Sequence, residues 1–247
     1  DYYAKQAWKK PMAVLVDRGS ASASEIFAGA IQDYKRGLVI GHRTFGKGTV
    51  QAIDNLSSGQ IKITESKFYR VTGESTQNKG VVPDIELPSS WDIESTGESS
   101  LHMSLPWDTI PPVRYRTFDI DEDIVAAVKK AHLNRLNESP NMTYIQNLRE
   151  RYDLVKNKKE LSLNIDKRQQ EKSERKNWIL NVENERRQNT RVDIIKEYSD
   201  MEDFNKEKDK KDEDIDVEND YLLQETANII ADYIYLNDKF LITKLNQ

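Results

Sequence analysis

Ser22 and Lys47 are the two residues whose possible chemistry most needs an explanation. Ser22 stands in GSASASE (19–25), directly after an apolar stretch and at the start of a helical pattern. At a helix N-terminus, developing negative charge on a serine oxygen is stabilised. An ordinary N-cap serine has the same position. Spacing alone therefore leaves both roles open, and it does not separate Ser22 from Ser20 and Ser24.

Lys47 lies between two glycines in GHRTFGKGTV (41–50), which fits the opening of a phosphate-binding loop, Gly-x-x-x-x-Gly-Lys. Such a loop needs Ser or Thr directly after the lysine and a helix whose amides hold the phosphates. Here Gly48 follows Lys47, and the next segment has the pattern of a strand. Nucleotide binding is therefore disfavoured. Lys47 is either a surface lysine in a Gly-rich turn or a base whose flanking glycines permit close approach to a serine.

A nucleophilic serine needs a base, and the sequence has few histidines to serve as one. His42 follows a predicted strand, whereas His102 and His132 fall in a connector and in a helical region. Lysine is the main alternative to histidine. A lysine that accepts a proton near neutral pH must be buried away from carboxylates, since its ordinary pKa is about 10.4. A base role for Lys47 thus predicts that its side chain is buried.

The elements around these residues form a predicted β-α-β unit. PMAVLVD (11–17) predicts a strand buried on both faces, and LVIG (38–41) predicts the next buried strand. Between them, apolar residues with helical spacing predict a helix that begins at Ser22. Ser22 and Glu25 fit a capping box, and Gly37 suits the helix end. A right-handed crossover is expected.

The rest of the chain divides into short recognisable patterns. A hairpin is predicted after Lys47, from TVQAI, SSGQ and IKITESKFYRV. GVVPDIELP has two prolines that resist helix and central strand. The remaining expectations are a connector at 88–118, helices at 121–136, 143–155, about 166–189 and 221–236, a short strand at 161–165 and a solvated, mixed-charge loop at 202–218.

The composition of the 247 residues points to two regions. Residues 1–90 carry 12 Lys/Arg against 9 Asp/Glu, so they are net basic, while residues 91–247 carry 25 against 33. Because 32% of the residues are charged and only 37% hydrophobic, the second region is expected to be polar helices with little core. The absence of cysteine excludes disulfides, Cys-ligated zinc and a thiol nucleophile. The interleaved charges predict no nucleic-acid partner, and no apolar run is long enough for a membrane span.

GSASASEIFAGAIQDYKRGLVIGHRTFGKGTVQ (19–51) closely resembles the catalytic core of the C-terminal processing peptidases, in particular the tail-specific protease branch of Gram-negative bacteria. The resemblance continues through KFYRVTGESTQNKGVVPDI (67–85), and LPWD, SLN and DYLLQET follow in the order of that branch. It implies an α/β (α+β) fold: a crotonase-like protease core with a parallel sheet and helices, followed by a mostly helical C-terminal region. It also implies a serine endopeptidase with a Ser-Lys dyad that acts on proteins recognised by their C-terminal tails.

The resemblance gives roles to individual residues. It implies that Ser22 is the nucleophile and Lys47 the general base, with no metal or cofactor. Gln51 matches a glutamine that orients the lysine in some relatives, and Asp33 matches an aspartate whose alternative is a polar residue on an exposed helix face. The Ala23 amide would be one oxyanion donor.

The resemblance also implies an organisation: the C-terminal part of a protease core at 1–90, a connector at 91–118 and a helical domain at 119–247. In the family, a PDZ domain, an N-terminal helical region and a second oxyanion amide precede the strand at 11–17. We therefore expect the chain to be a C-terminal portion that cleaves poorly alone. A periplasmic location, protein or peptide substrates, and an adaptor lipoprotein or self-association through the helical region are implied as well. The alternative is a non-enzymatic helical assembly module.

Overall fold

A computed structural model describes residues 8–202 and 220–245 of the chain. They form two compact units, the first from residues 8–87, 91–132 and 222–245, the second from residues 88–90, 133–202 and 220–221. The first unit thus includes two stretches of the region 119–247 that the sequence predicts as a separate helical domain.

The regular elements alternate near the N-terminus and are helical thereafter, which confirms the α/β fold class. In chain order they are β1 (Ala13–Val16), α1 (Ala23–Asp33), β2 (Leu38–Gly41), β3 (Thr49–Asn55), β4 (Gln60–Lys67), β5 (Ile85–Glu86), α2 (Glu122–Glu138), α3 (Pro140–Lys156), α4 (Ile165–Asn189) and α5 (Tyr221–Leu245). None of these helices, within the described residues, is long and apolar enough to cross a membrane.

A parallel sheet in the order β1-β2-β5 forms the centre of the first unit. Strands β1 and β2 pair from Ala13 opposite Leu38 to Val16 opposite Gly41, with α1 as the connection. The predicted β-α-β unit is therefore confirmed. Strands β3 and β4 form the predicted antiparallel hairpin, with a register shift between Val50 and Gln51.

Strand β2 has buried residues along its whole length because helices cover both faces of the sheet. Leu38 and Ile40 pack with α2 and α5, while Val39 packs on the opposite side with Ala28 of α1. The prediction that β1 is buried on both faces is wrong, since Leu15 is 41% exposed. Among the described strands β1 lies at the sheet edge, and only β2 has a neighbour on each side.

The end of α1 differs from the prediction that Gly37 stops it. The helix ends at Asp33, and Lys35 adopts a left-handed conformation with φ 49°. Gly37 is needed for a different reason: a Cβ there would lie 2.5 Å from the carbonyl oxygen of Met12. The lack of a side chain at position 37 therefore allows the residues before β2 to lie against those before β1.

The helical region also corrects one prediction. Residues 161–164 are not a strand, because Asn164 is the N-cap of α4 and its Oδ1 accepts from Lys167 N at 3.1 Å. Leu163 is fully exposed, so no sheet covers it. The predicted charged loop at 202–218 lies, from residue 203 onward, outside the described residues.

His132 connects three elements of the first unit, and its hydrogen bonds do not involve the turn that carries Ser22. Its ring is buried on α2; Nδ1 lies 2.8 Å from Glu225 Oε1 of α5, and Nε2 lies 3.1 Å from the Glu86 carbonyl oxygen of β5. Both ring nitrogens face oxygen atoms. This histidine therefore joins the C-terminal helix to the sheet.

The burial of α5 against this sheet predicts that Ile229→Ala destabilises the protein. Ile229 is fully buried in the cluster that contains Leu38, Ile40 and Ile85, so the free energy of unfolding should fall by about 2–5 kcal/mol. Denaturant unfolding measures it. Tyr235→Ala, on the exposed side of the same helix, is the control and should change it by less than about 0.5 kcal/mol. Equal effects of the two substitutions would contradict the packing of α5 on the sheet.

Candidate active site

Ser22 lies in a sharp turn between β1 and α1. It is the N-cap of α1 and has φ 55° and ψ −111°. A positive φ is unusual for a residue with a side chain, and such residues concentrate at functional sites. The turn before it is closed by Asp17, whose Oδ1 accepts from Gly19 N at 2.8 Å and Ser20 N at 3.0 Å. The helix start and its serine are thereby fixed at the C-terminal end of β1.

The carboxylate of Glu25, fully buried in the first turn of α1, connects this turn to the loop that carries Lys47. Oε2 accepts from Ser22 N at 2.9 Å, which confirms the predicted capping-box partner, and from Lys47 N at 2.8 Å. Oε1 accepts from Gly46 N at 2.7 Å and from the hydroxyl of Thr44. Four donors satisfy the buried anion.

This shared carboxylate brings the two predicted catalytic residues together. Because the Ser22 and Lys47 amides bind the same oxygen at 2.9 and 2.8 Å, their nitrogens can be no more than about 6 Å apart. The flexible four-carbon stem of a lysine can cover such a separation. The main chains of Ser22 and Lys47 thus lie close together although 24 residues lie between them.

The glycines beside Lys47 have a role other than approach to a serine. A Cβ at Gly46 would lie 3.0 Å from the backbone of Asn78, and one at Gly48 would lie 2.7 Å from Gln77 N. Gly48 N also donates to Gln77 Oε1 at 2.9 Å. The glycines therefore make room for residues 75–78.

The same contacts argue against a phosphate loop. The amides of Gly46 and Lys47 donate to Glu25, and that of Gly48 donates to Gln77. These are the donors that a phosphate would need. Strand β3 begins at Thr49, as predicted, where a phosphate loop would continue into a helix.

The Lys47 side chain is partly buried, and its Nζ donates to the Thr49 carbonyl oxygen at 3.0 Å. Among the described residues, no hydrogen bond joins this amine to Ser22. Gln51 donates to the Thr64 hydroxyl at 3.2 Å across the hairpin, and within the described residues no hydrogen bond joins its side chain to Lys47. Ala23 is the first residue of α1, and its amide is at the helix start beside Ser22.

Asp33 lies at the end of α1, where it is buried and paired with Arg70. Both of its carboxylate oxygens accept from the guanidinium, with Arg70 Nε at 3.0 and 3.1 Å. Gln32 Oε1 accepts from the same guanidinium at 2.8 Å. The alternative of an exposed polar residue is therefore wrong: the Asp33 carboxylate holds residue 70 against α1.

The sequence did not reveal that Glu25 and Gln77 bind the main chain of the Lys47 loop. Glu25 was visible only as a local cap of α1, because its contacts with residues 44–47 depend on the fold. Gln77 is buried in a segment without regular structure. No group of three or more His, Asp or Glu side chains in residues 8–202 and 220–245 is close enough to hold a metal ion.

Ser22 has a positive φ at a helix start, and Glu25 joins it to the loop of Lys47 beside a parallel sheet. Residues 1–87, which include all these features, match the model of peptidase family S41. Residues 91–235 match the model described as the C-terminal domain of tail specific protease (DUF3340). Because this second model spans more than half of the chain, the chain belongs to the tail-specific protease family.

The chain is also similar to individual proteins over part or most of its length. The chain is 34% identical to the tail-specific protease of Haemophilus influenzae over 98% of its length, and it spans 35% of that relative. It is 47% identical to the chloroplastic C-terminal processing peptidase of Tetradesmus obliquus over 31% of its length, covering 17% of that protein. The photosystem II D1 C-terminal processing protease is a solved structure with 47% identity over 31% of this chain and 20% of its own, at a TM-score of 0.29.

The four donors around Glu25 predict that Glu25→Gln destabilises the protein and loosens the Lys47 loop. An amide in place of the carboxylate removes the charge and directs its NH₂ at two donors in either orientation. The free energy of unfolding should fall by roughly 2–4 kcal/mol, and the amides of Gly46 and Lys47 should exchange hydrogen faster. Glu65→Gln, on the exposed face of β4, is the matched control. Unchanged exchange at both amides would contradict the role of Glu25.

The Asp33–Arg70 pair predicts a coupling that a double-mutant cycle can measure. Asp33→Ala and Arg70→Ala should each destabilise the protein, because each leaves a largely buried charge unpaired. The double variant should lose less than the sum, with a coupling of at least about 1 kcal/mol. The exposed pair Lys35–Glu122 is the control and should show little coupling.

Additive effects at Asp33 and Arg70 would contradict the pairing. An Asp33→Asn variant with normal stability and no turnover would instead assign Asp33 to the chemistry.

Proposed function

We propose that this chain carries the nucleophile and the base of a serine endopeptidase, which hydrolyses peptide bonds in proteins recognised by their C-terminal tails. The observation that supports it most is the single Glu25 oxygen that binds the main-chain amides of Ser22 and Lys47. The match to peptidase family S41 over residues 1–87 supports the same reaction.

In the proposed mechanism, the hydroxyl of Ser22 attacks the carbonyl carbon of the scissile peptide bond while neutral Lys47 Nζ takes its proton. The negative charge on the carbonyl oxygen is stabilised by the Ala23 amide at the positive end of α1. The carbon–nitrogen bond then breaks, and the leaving amine receives the proton from Lys47. Next, Lys47 removes a proton from water, and the water oxygen attacks the carbonyl carbon of the Ser22 ester. The bond between that carbon and Ser22 Oγ breaks, Lys47 returns the proton to Oγ, and the acid product leaves.

Lys47 has to turn its side chain before this reaction can begin. Its amine donates to the Thr49 carbonyl oxygen, and within the described residues it makes no hydrogen bond to Ser22. Since the Lys47 main-chain amide is fixed by Glu25, rotation about side-chain bonds is the movement that brings Nζ to Ser22. Catalytic hydrogen bonds often shorten only when substrate binds.

The other predicted site residues have supporting roles in this proposal. Gln51 would leave Thr64 to orient the amine of Lys47 once it has turned. Asp33 acts through Arg70 and is a positioning residue for α1. A periplasmic location and an adaptor or self-association through the helical region stay predictions that follow from the family.

The mechanism predicts that Ser22→Ala and Lys47→Ala each abolish peptide hydrolysis by the full-length gene product. Turnover should fall by at least about 1,000-fold, because nucleophile and base act as a unit. Lys47→Arg should be equally inactive, since a guanidinium does not give up its proton. Cleavage of a peptide substrate measures turnover, and thermal unfolding verifies that each variant is folded.

The matched control is Lys62→Ala, at an exposed position of β4, which should keep normal turnover. Normal turnover by a folded Ser22→Ala or Lys47→Ala variant would disprove the proposed chemistry.

A further inference from the structure

Arg18 is a fully buried arginine that follows β1 and donates to main-chain carbonyls. Nε donates to the Thr96 oxygen at 2.6 Å, and the two terminal nitrogens donate to the oxygens of Ile93, at 3.0 Å, and Thr44. The three carbonyls come from two segments far apart in sequence. One is the loop 44–48 with Lys47, and the other is the turn 92–98.

The turn 92–98 is itself an ordered structure. Asp92 closes it with three hydrogen bonds. Its Oδ1 accepts from Glu94 N at 3.1 Å, its Oδ2 accepts from the Ser95 hydroxyl, and its carbonyl oxygen accepts from Thr96 N at 2.9 Å. Gly97 has φ 125°, which favours glycine, and a Cβ there would overlap the Arg18 guanidinium. A side chain at position 97 is therefore incompatible with the arginine in its place.

The turn also holds the Lys47 loop, directly at Phe45 and through Gln77 at Gly48. Glu98 N donates to the Phe45 carbonyl oxygen at 3.0 Å. The buried Glu98 carboxylate accepts from Gln77 Nε2 at 3.1 Å, and the Oε1 of the same glutamine accepts from Gly48 N at 2.9 Å. Arg18 and the turn 92–98 together form a clasp on the loop 44–48.

A buried guanidinium is an expensive way to stabilise a fold. Among the described residues, Arg18 makes no salt bridge, and burial lowers its pKa, as does the nearby Arg43, while Glu25 opposes them. Arginine nevertheless stays protonated in proteins. A buried charge adds little net stability compared with an apolar residue. The hydrogen bonds of Arg18 nevertheless tie Thr44 to Ile93 and Thr96.

We propose that the clasp holds the loop 44–48 in the position from which Lys47 can reach Ser22, so that Arg18 and the turn 92–98 are positioning elements of catalysis. The turn lies in the part of the chain that matches the C-terminal domain model, residues 91–235. A short part of the matched region, the turn 92–98, therefore supports the loop of Lys47. The inference rests on the proposed Ser22–Lys47 chemistry.

The experiment compares four variants of the full-length gene product. Gly97→Ala and Arg18→Lys disturb the clasp without touching either reacting side chain. Gly59→Ala is the control for the first, since Gly59 also has a positive φ but nothing lies within 4 Å of a Cβ there. Arg36→Lys is the control for the second, because Arg36 also donates to main-chain carbonyls, those of Trp8 and Lys10.

Both clasp variants should lower kcat by about 100-fold with KM nearly unchanged, as expected when a reacting group is displaced by about 1 Å. Amide hydrogen exchange at residues 46–48 should become faster in the same variants. Neither control should change kcat. A purely structural role would instead lower the melting temperature and leave the kcat of the folded protein as it was.

Normal kcat in either folded clasp variant would overturn the proposal, and failure of both to fold would overturn it too, since the clasp would then belong to the core. If only Arg18→Lys fails to fold, the kcat of the Gly97→Ala variant decides whether the proposal stands. Ser22→Ala is measured alongside. Turnover by that variant would remove the proposed function and the clasp together, whereas an inactive Ser22→Ala with normal clasp variants would remove the clasp alone.

Discussion

The buried carboxylate of Glu25 is the constraint on which the geometry of the site depends. An anion without solvent is stable in a protein only when donors surround it, and here the donors come from the serine turn and from the Lys47 loop. Meeting that requirement forces the two segments together. One side chain thus caps a helix and also sets the separation of the Ser22 and Lys47 main chains. Neither the helix nor the loop can move alone without leaving part of the charge unsatisfied.

The parallel sheet explains why these two segments are neighbours at all. Val16 at the end of β1 pairs with Gly41 at the end of β2, and His42 N donates to the Val16 oxygen at 2.8 Å. The turn to Ser22 and the loop to Lys47 therefore leave the same edge of the sheet side by side. Cover on both faces, by α1 and by α2 with α5, keeps β2 rigid. The sheet brings the segments near each other, and Glu25 sets the final distance.

Local patterns made much of this fold predictable, because helix spacing, the capping box and the hairpin turn are read from adjacent residues. The predictions that were wrong depended on contacts outside the short segments from which they were made. Leu15 is exposed because of the place of β1 in the sheet, and residues 161–164 precede a helix cap that Asn164 supplies. In the candidate site, the sequence singled out Ser22 and Lys47, whose main-chain amides bind one oxygen of Glu25. The contacts of Glu25 with the lysine loop were not, since they join residues that only the folded chain brings together.

The loop around Lys47 has no regular secondary structure, yet nearly every main-chain donor in it is used. Gly46, Lys47 and Gly48 each donate to a buried side chain, and Phe45 N donates to the Ser20 oxygen at 2.9 Å. A backbone held in this way has little freedom to move during a reaction. Under the proposed mechanism, the four-carbon stem of Lys47 is then the mobile part, with the Thr49 carbonyl and Ser22 as alternative partners of its amine. Activation accordingly needs a change of side-chain rotamer and no rearrangement of the loop.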